Sequence, residues 1–145
     1  MSTKILIIGQ APPIQKQDIP YDTTMLYDWL SEVGISKDKA QDMFEFEAMT
    51  DKIPEVTEFG HKPPSDLEMK DYWKRVLCDK VDQSEKIILL GACPRNFFKK
   101  DKFFERYDNK RFKVLSLIHP SKRNYKMYND NKEKLVSLLK DIIFE

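Results

Sequence analysis

Three short polar segments each follow an apolar run of the kind that forms a buried strand. They are residues 9–13 (Gly-Gln-Ala-Pro-Pro), 91–94 (Gly-Ala-Cys-Pro) and 119–121 (His-Pro-Ser). Gln10 offers both a hydrogen-bond donor and an acceptor, and a neutral His119 can donate to an anion that develops during a reaction. These residue types suit the stabilisation of a negatively charged leaving group, although by position alone His119 is equally compatible with a structural role.

Metal and nucleophile chemistry fit the same residues poorly. The chain has two cysteines, Cys78 and Cys93, without a CxxC or a metal-like spacing, and only two histidines. That is too few for the usual multi-histidine metal site. No second histidine is placed to activate Cys93, so we expect this thiol to pack rather than to react. We therefore predict no metal, no cofactor and no structural disulfide.

The elements that must position these segments follow from the hydrophobic pattern. Strands are expected at residues 4–8, 44–49, 87–90 and 114–118. Helices are expected at residues 25–33, 36–43, 65–80 and 129–144, with one more beginning near 94–98. Strands that alternate with helices predict right-handed βαβ units and a mainly parallel four-stranded sheet between helices, a three-layer α/β/α fold. Ligands bind such sheets at the carboxyl ends of the strands, where the three segments and Glu47 should converge.

Composition sets the broad class of protein. The chain has 145 residues, 41% of them hydrophobic, and a formal net charge of +1. This favours a single folded domain over residues 1–145 rather than a disordered chain. No apolar run approaches the length of a membrane span, and no signal peptide is evident. We expect a cytoplasmic monomer that does not associate with membranes.

The near-zero net charge conceals a basic block. Residues 90–132 hold twelve Lys and Arg against four Asp and Glu, interleaved with Phe and Tyr, whereas residues 1–89 are acidic overall. Such a block is typical of proteins that contact a phosphate backbone. A solvated, lysine-rich surface explains it equally well when no neighbouring chemistry is considered.

Taken in order, the segments resemble the motifs of the uracil-DNA glycosylase superfamily along nearly the whole chain. Residues 4–13 resemble its first motif, in which a strand ends in Gly-Gln-Asp-Pro-Tyr or Gly-Glu-Ala-Pro-Gly. Glu47 falls where a strand-end Asn usually reads uracil, and residues 119–121 match the closing His-Pro-Ser. The resemblance implies a glycosylase that flips a damaged or deaminated base out of DNA and hydrolyses its N-glycosidic bond.

The resemblance also implies roles for individual residues. His119 would bind the base and stabilise its negative charge, helped by backbone amides near Gln10 and Ala11. Tyr21 would stack on the base and Glu47 would contact its edge. Ser121 would contact a phosphate, and a loop that enters the minor groove would hold Lys122, Arg123, Asn124 and Tyr125.

The chain departs from the family pattern at three positions. Ala11 stands where one branch has the Asp that orients the water, so a carboxylate must come from elsewhere; Asp22 is our choice, with Asp18 and Glu47 as alternatives. Pro13 replaces the Tyr that excludes thymine. Glu47 replaces Asn, and because an ionised carboxylate only accepts hydrogen bonds, the preferred base would carry an amine or an N–H, as an amine-bearing or deaminated purine does. The iron–sulfur branches need four cysteines, and this chain has two.

Two other interpretations remain open. The first is a non-catalytic member of the same fold that binds nucleic acid but has lost the water-activating carboxylate. The second is an unrelated α/β domain that binds a nucleotide at the same strand ends. A glycosylase and a non-catalytic member of its fold should both bind DNA in a salt-sensitive manner, but only the glycosylase would leave abasic sites.

Overall fold

The computed structural model describes residues 5–9, 24–51, 56–57, 60–61, 64–100, 113–117 and 125–144. Its centre is a parallel sheet of four strands in the order β2-β1-β5-β6. These strands are β1 (Ile5–Gly9), β2 (Phe44–Ala48), β5 (Lys86–Leu90) and β6 (Lys113–Leu117). A short antiparallel pair, β3 (Val56–Thr57) and β4 (Gly60–His61), lies between β2 and β5 in the chain. The predicted strands and their parallel arrangement are confirmed.

The helices of the described residues lie where they were expected, with ends that differ by a few residues. They are α1 (Thr24–Glu32), α2 (Lys37–Met43), α3 (Asp66–Tyr72), α4 (Cys78–Asp82), α5 (Ala92–Lys100), α6 (Tyr125–Asp130) and α7 (Lys132–Phe144). A π-helical turn, Trp73–Leu77, joins α3 to α4. Within the described part of the chain, none of these helices has the length and apolar character needed to cross a membrane.

The sheet buries a separate apolar cluster on each face, as expected for three layers. The first face carries Ile7, Phe44 and Ile88, which belong to one cluster with residues of α1 and α7 such as Trp29 and Leu139. The second face carries other residues of the same strands, packed with α3, α4 and α5. Its cluster includes Leu6, Ile8, Leu89, Met69, Tyr72, Leu77, Val81 and Phe98. Strand geometry explains the division, because successive side chains point to opposite faces.

Local signals in the sequence set the ends of several helices. Ser36 and Ser65 are N-caps, and their hydroxyls accept hydrogen bonds from the backbone N–H groups of Lys39 and Glu68, both at 3.2 Å. Gly34 follows α1 with φ of +85°, a left-handed conformation that glycine adopts without strain. They explain why one helix ends near residue 33 and another begins near residue 65, as the hydrophobic pattern predicts.

The expected helix over residues 129–144 is divided at Asn131. The side-chain amide of Asn131 donates to the Met127 carbonyl at 2.9 Å, and its backbone N–H donates to the same oxygen at 3.2 Å. A short amide side chain that bonds nearby backbone competes with regular helix. Asn131 therefore separates α6 from α7. The helical region also begins earlier than expected, at Tyr125.

Candidate functional site

The carboxyl ends of the four central strands lie side by side. Gly9 pairs with Ala48 between β1 and β2, and Leu90 pairs with Leu117 between β5 and β6. Ile8 pairs with Leu89, which joins these two halves in the same register. The strands that lead into residues 10–13, 91–94 and 118–121 thus end along one edge, where an open parallel sheet binds its ligands.

The central strand β5 ends in a tight turn at this edge. Gly91 has φ of +92°, and its N–H donates to the Leu117 carbonyl at 2.8 Å. The chain then enters α5 at once, which places Cys93 in the first turn of that helix. Burial, reinforced by the charge of Asp66, raises the pKa of the Cys93 thiol to about 11. Its sulfur lies 3.6 Å from that of Met69, so Cys93 is a packed thiol rather than an activated nucleophile.

Glu47 is the predicted site residue that the structure describes. It is the penultimate residue of β2 and pairs with Ile8. Its Oε2 accepts a hydrogen bond from the Tyr72 hydroxyl at 2.7 Å. Its Oε1 accepts one from Lys80 Nζ at 2.6 Å, and Lys80 also donates to Glu45 at 2.8 Å. We call these four side chains, Glu45, Glu47, Tyr72 and Lys80, the Glu47 cluster.

The contacts of the Glu47 cluster favour a cationic Lys80 and a neutral Tyr72 phenol. Burial alone would lower the pKa of Lys80, but its hydrogen bonds and its attraction to Glu45 and Glu47 outweigh that effect and raise it. Burial, with the hydrogen bond to Glu47 next, raises the pKa of Tyr72 well above its usual value. The raised pKa of Tyr72 keeps its phenol protonated, so the hydroxyl stays a hydrogen-bond donor to Glu47.

The π-helical turn brings Tyr72 and Lys80 to the same carboxylate. Eight residues of regular α-helix would leave the two side chains about 80° apart around the helix axis. A π-helical turn accommodates one residue more than an α-helical turn, so the angle between Tyr72 and Lys80 falls by about 100°, the rotation of one residue. The two side chains then lie only about 20° apart around the axis. The same shift explains why Tyr72 and Leu77, five residues apart, are both buried. Regular helical spacing would place them about 140° apart.

A second group of charges lies beside the Glu47 cluster. The Arg75 guanidinium donates to Asp71 at 2.7 Å and approaches Asp51 at 3.6 Å, just beyond the end of β2. It also lies over the Tyr72 ring, 5.7 Å from its centroid. The two groups together contain four carboxylates, Glu45, Glu47, Asp51 and Asp71, and two cations, Lys80 and Arg75. Among the described residues, these two groups therefore carry a net negative charge.

Several large aromatic residues pack in the core rather than at the strand ends. Trp29 and Phe98 are fully buried, and Phe97 is 7% exposed. Trp73 packs against both phenylalanines, with ring centroids 6.0 and 5.7 Å away. These four residues are packing elements of the core, so Phe97 and Phe98 are not exposed for contact with DNA. Phe103 and Phe104 lie outside the described residues.

The remaining predicted site residues lie outside the part of the chain that the structure describes, and their roles stay predictions. They are Gln10, Ala11, Asp22, Tyr21, His119, Ser121, Lys122, Arg123 and Asn124. Among the described residues, no group of three or more His, Cys, Asp or Glu side chains could hold a metal ion.

Sequence reasoning missed Tyr72 and Lys80 as partners of Glu47. Tyr72 is 25 positions and Lys80 is 33 positions from Glu47 in the chain. In the helix expected over residues 65–80, regular helical spacing places Met69, Trp73 and Leu77 on one apolar face and predicts no polar partner for Glu47. Two glutamates spaced by two residues on an otherwise apolar strand were the available signal, because they imply polar partners on the covering layer.

Comparison with known proteins gives a family and a fold. Residues 1–143 match the family described as the uracil DNA glycosylase superfamily. Among solved structures, the chain is similar to wild-type SMUG2 of Pedobacter heparinus, with a TM-score of 0.59 and 16% sequence identity. That similarity covers 99% of this chain and 77% of the other. No curated protein matches the chain.

Proposed function

Because the chain belongs to the uracil DNA glycosylase superfamily, we propose that it is a DNA glycosylase acting on a damaged or deaminated base. The observation that carries the proposal is the family match over residues 1–143. The register of the sheet supports it, because the strands that precede the motif segments all end at one edge of the sheet. The base would be flipped out of the DNA into a pocket at this edge.

The reaction would be hydrolysis at the sugar carbon C1′. Water adds to C1′ as the C1′–N bond breaks, and the electron pair of that bond leaves with the base. His119 and the backbone amides near Gln10 and Ala11 would stabilise the anionic base, which then takes up a proton. The products are a free base and an abasic site. Tyr21 would stack on the base, and Asp22 would orient the water.

DNA contacts would come from the basic part of the chain. Ser121, Lys122, Arg123 and Asn124 would lie against the phosphate backbone and the minor groove. The net negative charge around Glu47 and Asp51 supports this division of labour, because acidic side chains repel phosphate and leave that side for the base.

A non-catalytic, DNA-binding member of the family is the second candidate. Glu47 is one of three carboxylates that could replace the Asp missing at position 11, and it is hydrogen-bonded to Lys80 at 2.6 Å. Both of its oxygens already accept hydrogen bonds, from Tyr72 and Lys80, so Glu47 is poorly placed to take a proton from water. Water activation then depends on Asp18 or Asp22, and without either of them the protein would bind a base without releasing it.

The two histidines of the chain allow a matched test. End-labelled single- and double-stranded oligonucleotides with uracil, hypoxanthine, xanthine or a T·G mismatch are incubated with wild type, His119→Ala and His61→Ala, and then cleaved with alkali. We expect cleavage by wild type and His61→Ala and none by His119→Ala. Salt-sensitive binding without cleavage would instead favour the binding protein. Equal cleavage by both variants would refute the role of His119.

A further inference from the structure

The Glu47 cluster is more elaborate than protection of a sheet edge requires. β2 is an edge strand, and an inward-pointing charge is one way in which proteins prevent edge-to-edge aggregation. A single charged residue suffices for that purpose. Here both oxygens of Glu47 have separate donors from one helical segment, and the π turn between Tyr72 and Lys80 is what aligns them.

The hydrogen bonds from Tyr72 and Lys80 leave part of the Glu47 carboxylate free to accept further hydrogen bonds. A carboxylate has about four lone-pair positions, two on each oxygen. Tyr72 occupies one on Oε2 and Lys80 occupies one on Oε1. One position therefore remains on each oxygen. The Glu47 side chain keeps 13% of its surface exposed, so the carboxylate is not sealed into the core.

The charge of the cluster also selects its ligand. Lys80 is shared between Glu45 and Glu47, so two carboxylates meet one ammonium and a unit of negative charge remains. A phosphate would be repelled, and a base edge with a carbonyl facing Glu47 would bring oxygen against oxygen. Two adjacent N–H donors would satisfy both free lone pairs at once, as a bidentate pair does.

We propose that Tyr72 and Lys80 are positioning residues that fix Glu47 as a twofold acceptor for a base edge with two adjacent N–H donors. A guanine-type edge, with a ring N–H beside an exocyclic amine, has this pattern. Uracil and hypoxanthine present an N–H beside a carbonyl. The inference rests on the proposed function, in which Glu47 contacts the flipped base, and it assigns the specificity of that contact to the covering helix.

A matched pair of substrates isolates the exocyclic amine. Oligonucleotides carrying 8-oxoguanine or 8-oxohypoxanthine differ only in the 2-amino group. The measured quantity is the ratio of the two excision rates, or of the two binding constants if wild type turns over neither. A ratio is informative because a folding defect lowers both values together. We expect wild type to prefer 8-oxoguanine by about tenfold or more, the value of a hydrogen bond to a charged group.

Five variants test the assignment. Tyr72→Phe and Lys80→Met should each reduce the ratio at least about threefold, since a loosely held carboxylate discriminates less. Glu47→Gln should bring the ratio to one or below, because the amide presents a donor. Lys80→Arg keeps the charge and should keep the ratio. Glu45→Gln is the matched control, because Lys80 still reaches Glu47.

Each failure has a separate meaning. A wild-type ratio near one overturns the inference, as does a ratio that Tyr72→Phe and Lys80→Met leave unchanged. The proposed function fails independently, when no base is excised or bound in a manner that depends on His119. Excision of uracil that is lost in His119→Ala, together with a ratio near one, would retain the glycosylase and remove the role of the Glu47 cluster in specificity.

Discussion

The two faces of the central sheet differ in what they bury: the first is apolar, and the second combines an apolar cluster with the charged Glu47 cluster. On the first face, the buried side chains of β1, β2, β5 and β6 pack with α1, α2 and α7 in an apolar cluster. On the second face, the apolar cluster stops at the edge strand, where Glu45 and Glu47 meet Tyr72 and Lys80. The comparison suggests that the first face supplies stability, and that the second gives up some apolar contact to hold a charged group at the strand ends.

The largest expected effect is on the first face. Leu139 of α7 is completely buried, and Leu139→Ala should reduce the free energy of unfolding by about 2–5 kcal/mol, because truncation loses transfer energy and leaves a cavity. Leu138→Ala is the matched control, since Leu138 is 36% exposed on the same helix and should lose much less. Urea unfolding followed by circular dichroism measures both. Equal losses would contradict the assignment of this face as the stabilising one.

On the second face, the important quantity is the coupling between two charged side chains. Lys80→Met should reduce the free energy of unfolding by about 1–2 kcal/mol, because it leaves Glu47 charged and poorly solvated; partial exposure keeps the loss below that of a fully buried pair. Adding Glu47→Gln should recover part of this loss. A double-mutant cycle in urea measures the coupling, and strictly additive effects would show that the ion pair contributes nothing to folding.

Alkaline pH distinguishes the faces in another way. The pKa of Tyr72 is raised in the folded protein. Its contribution to the free energy of unfolding is therefore fully present below the unfolded-state pKa near 10 and is lost as the pH rises toward the folded-state pKa. Above pH 10 the wild-type free energy of unfolding should therefore fall by up to about 1.4 kcal/mol per pH unit from this group alone. Tyr72→Phe should show a shallower decline.

Lys80 is the internal check on that pH dependence. Its pKa is also raised, so it contributes a decline with the same sign, and Tyr72→Phe should retain this part. The double variant Tyr72→Phe, Lys80→Met should be flatter than either single variant. Urea unfolding between pH 8 and about 11 provides the measurement. Parallel curves for wild type and Tyr72→Phe would contradict the raised pKa of Tyr72.

The same comparison explains how far the sequence could predict the structure. The first face was predictable because its information is local: apolar residues in the strands, a capping Ser36 and a left-handed Gly34 each act within a few residues. The parallel sheet followed from the alternation of strands and helices. These local features agree with one another, and this agreement is why the fold class was confirmed.

The second face was less predictable because its contacts are distant in the chain. The family resemblance points to Glu47 as a site residue, but Tyr72 and Lys80, which donate to it, lie on a helical segment that follows β3 and β4 in the chain. The π turn could not be read from helical periodicity, which assumes 3.6 residues per turn. The placement of Tyr72 and Lys80 depends on that irregular turn, and so only the structure revealed it.

The smallest expected effects come from a pair of helix caps, one on each side of the sheet. Ser36 caps α2, which contributes Ala40 to the first cluster, and Ser65 caps α3, which contributes Met69 to the second. Ser36→Ala and Ser65→Ala should each reduce the free energy of unfolding by about 1 kcal/mol, because each leaves a backbone N–H without its partner.

The two cap variants should differ in their effect on the base preference. α3 leads directly into Tyr72, so fraying at Ser65 should loosen Glu47 and lower the preference for an N–H-rich base, whereas Ser36→Ala should leave it unchanged. Urea unfolding and the paired excision assay together decide the matter, and an equal change of preference in both variants would contradict the separation of the two faces.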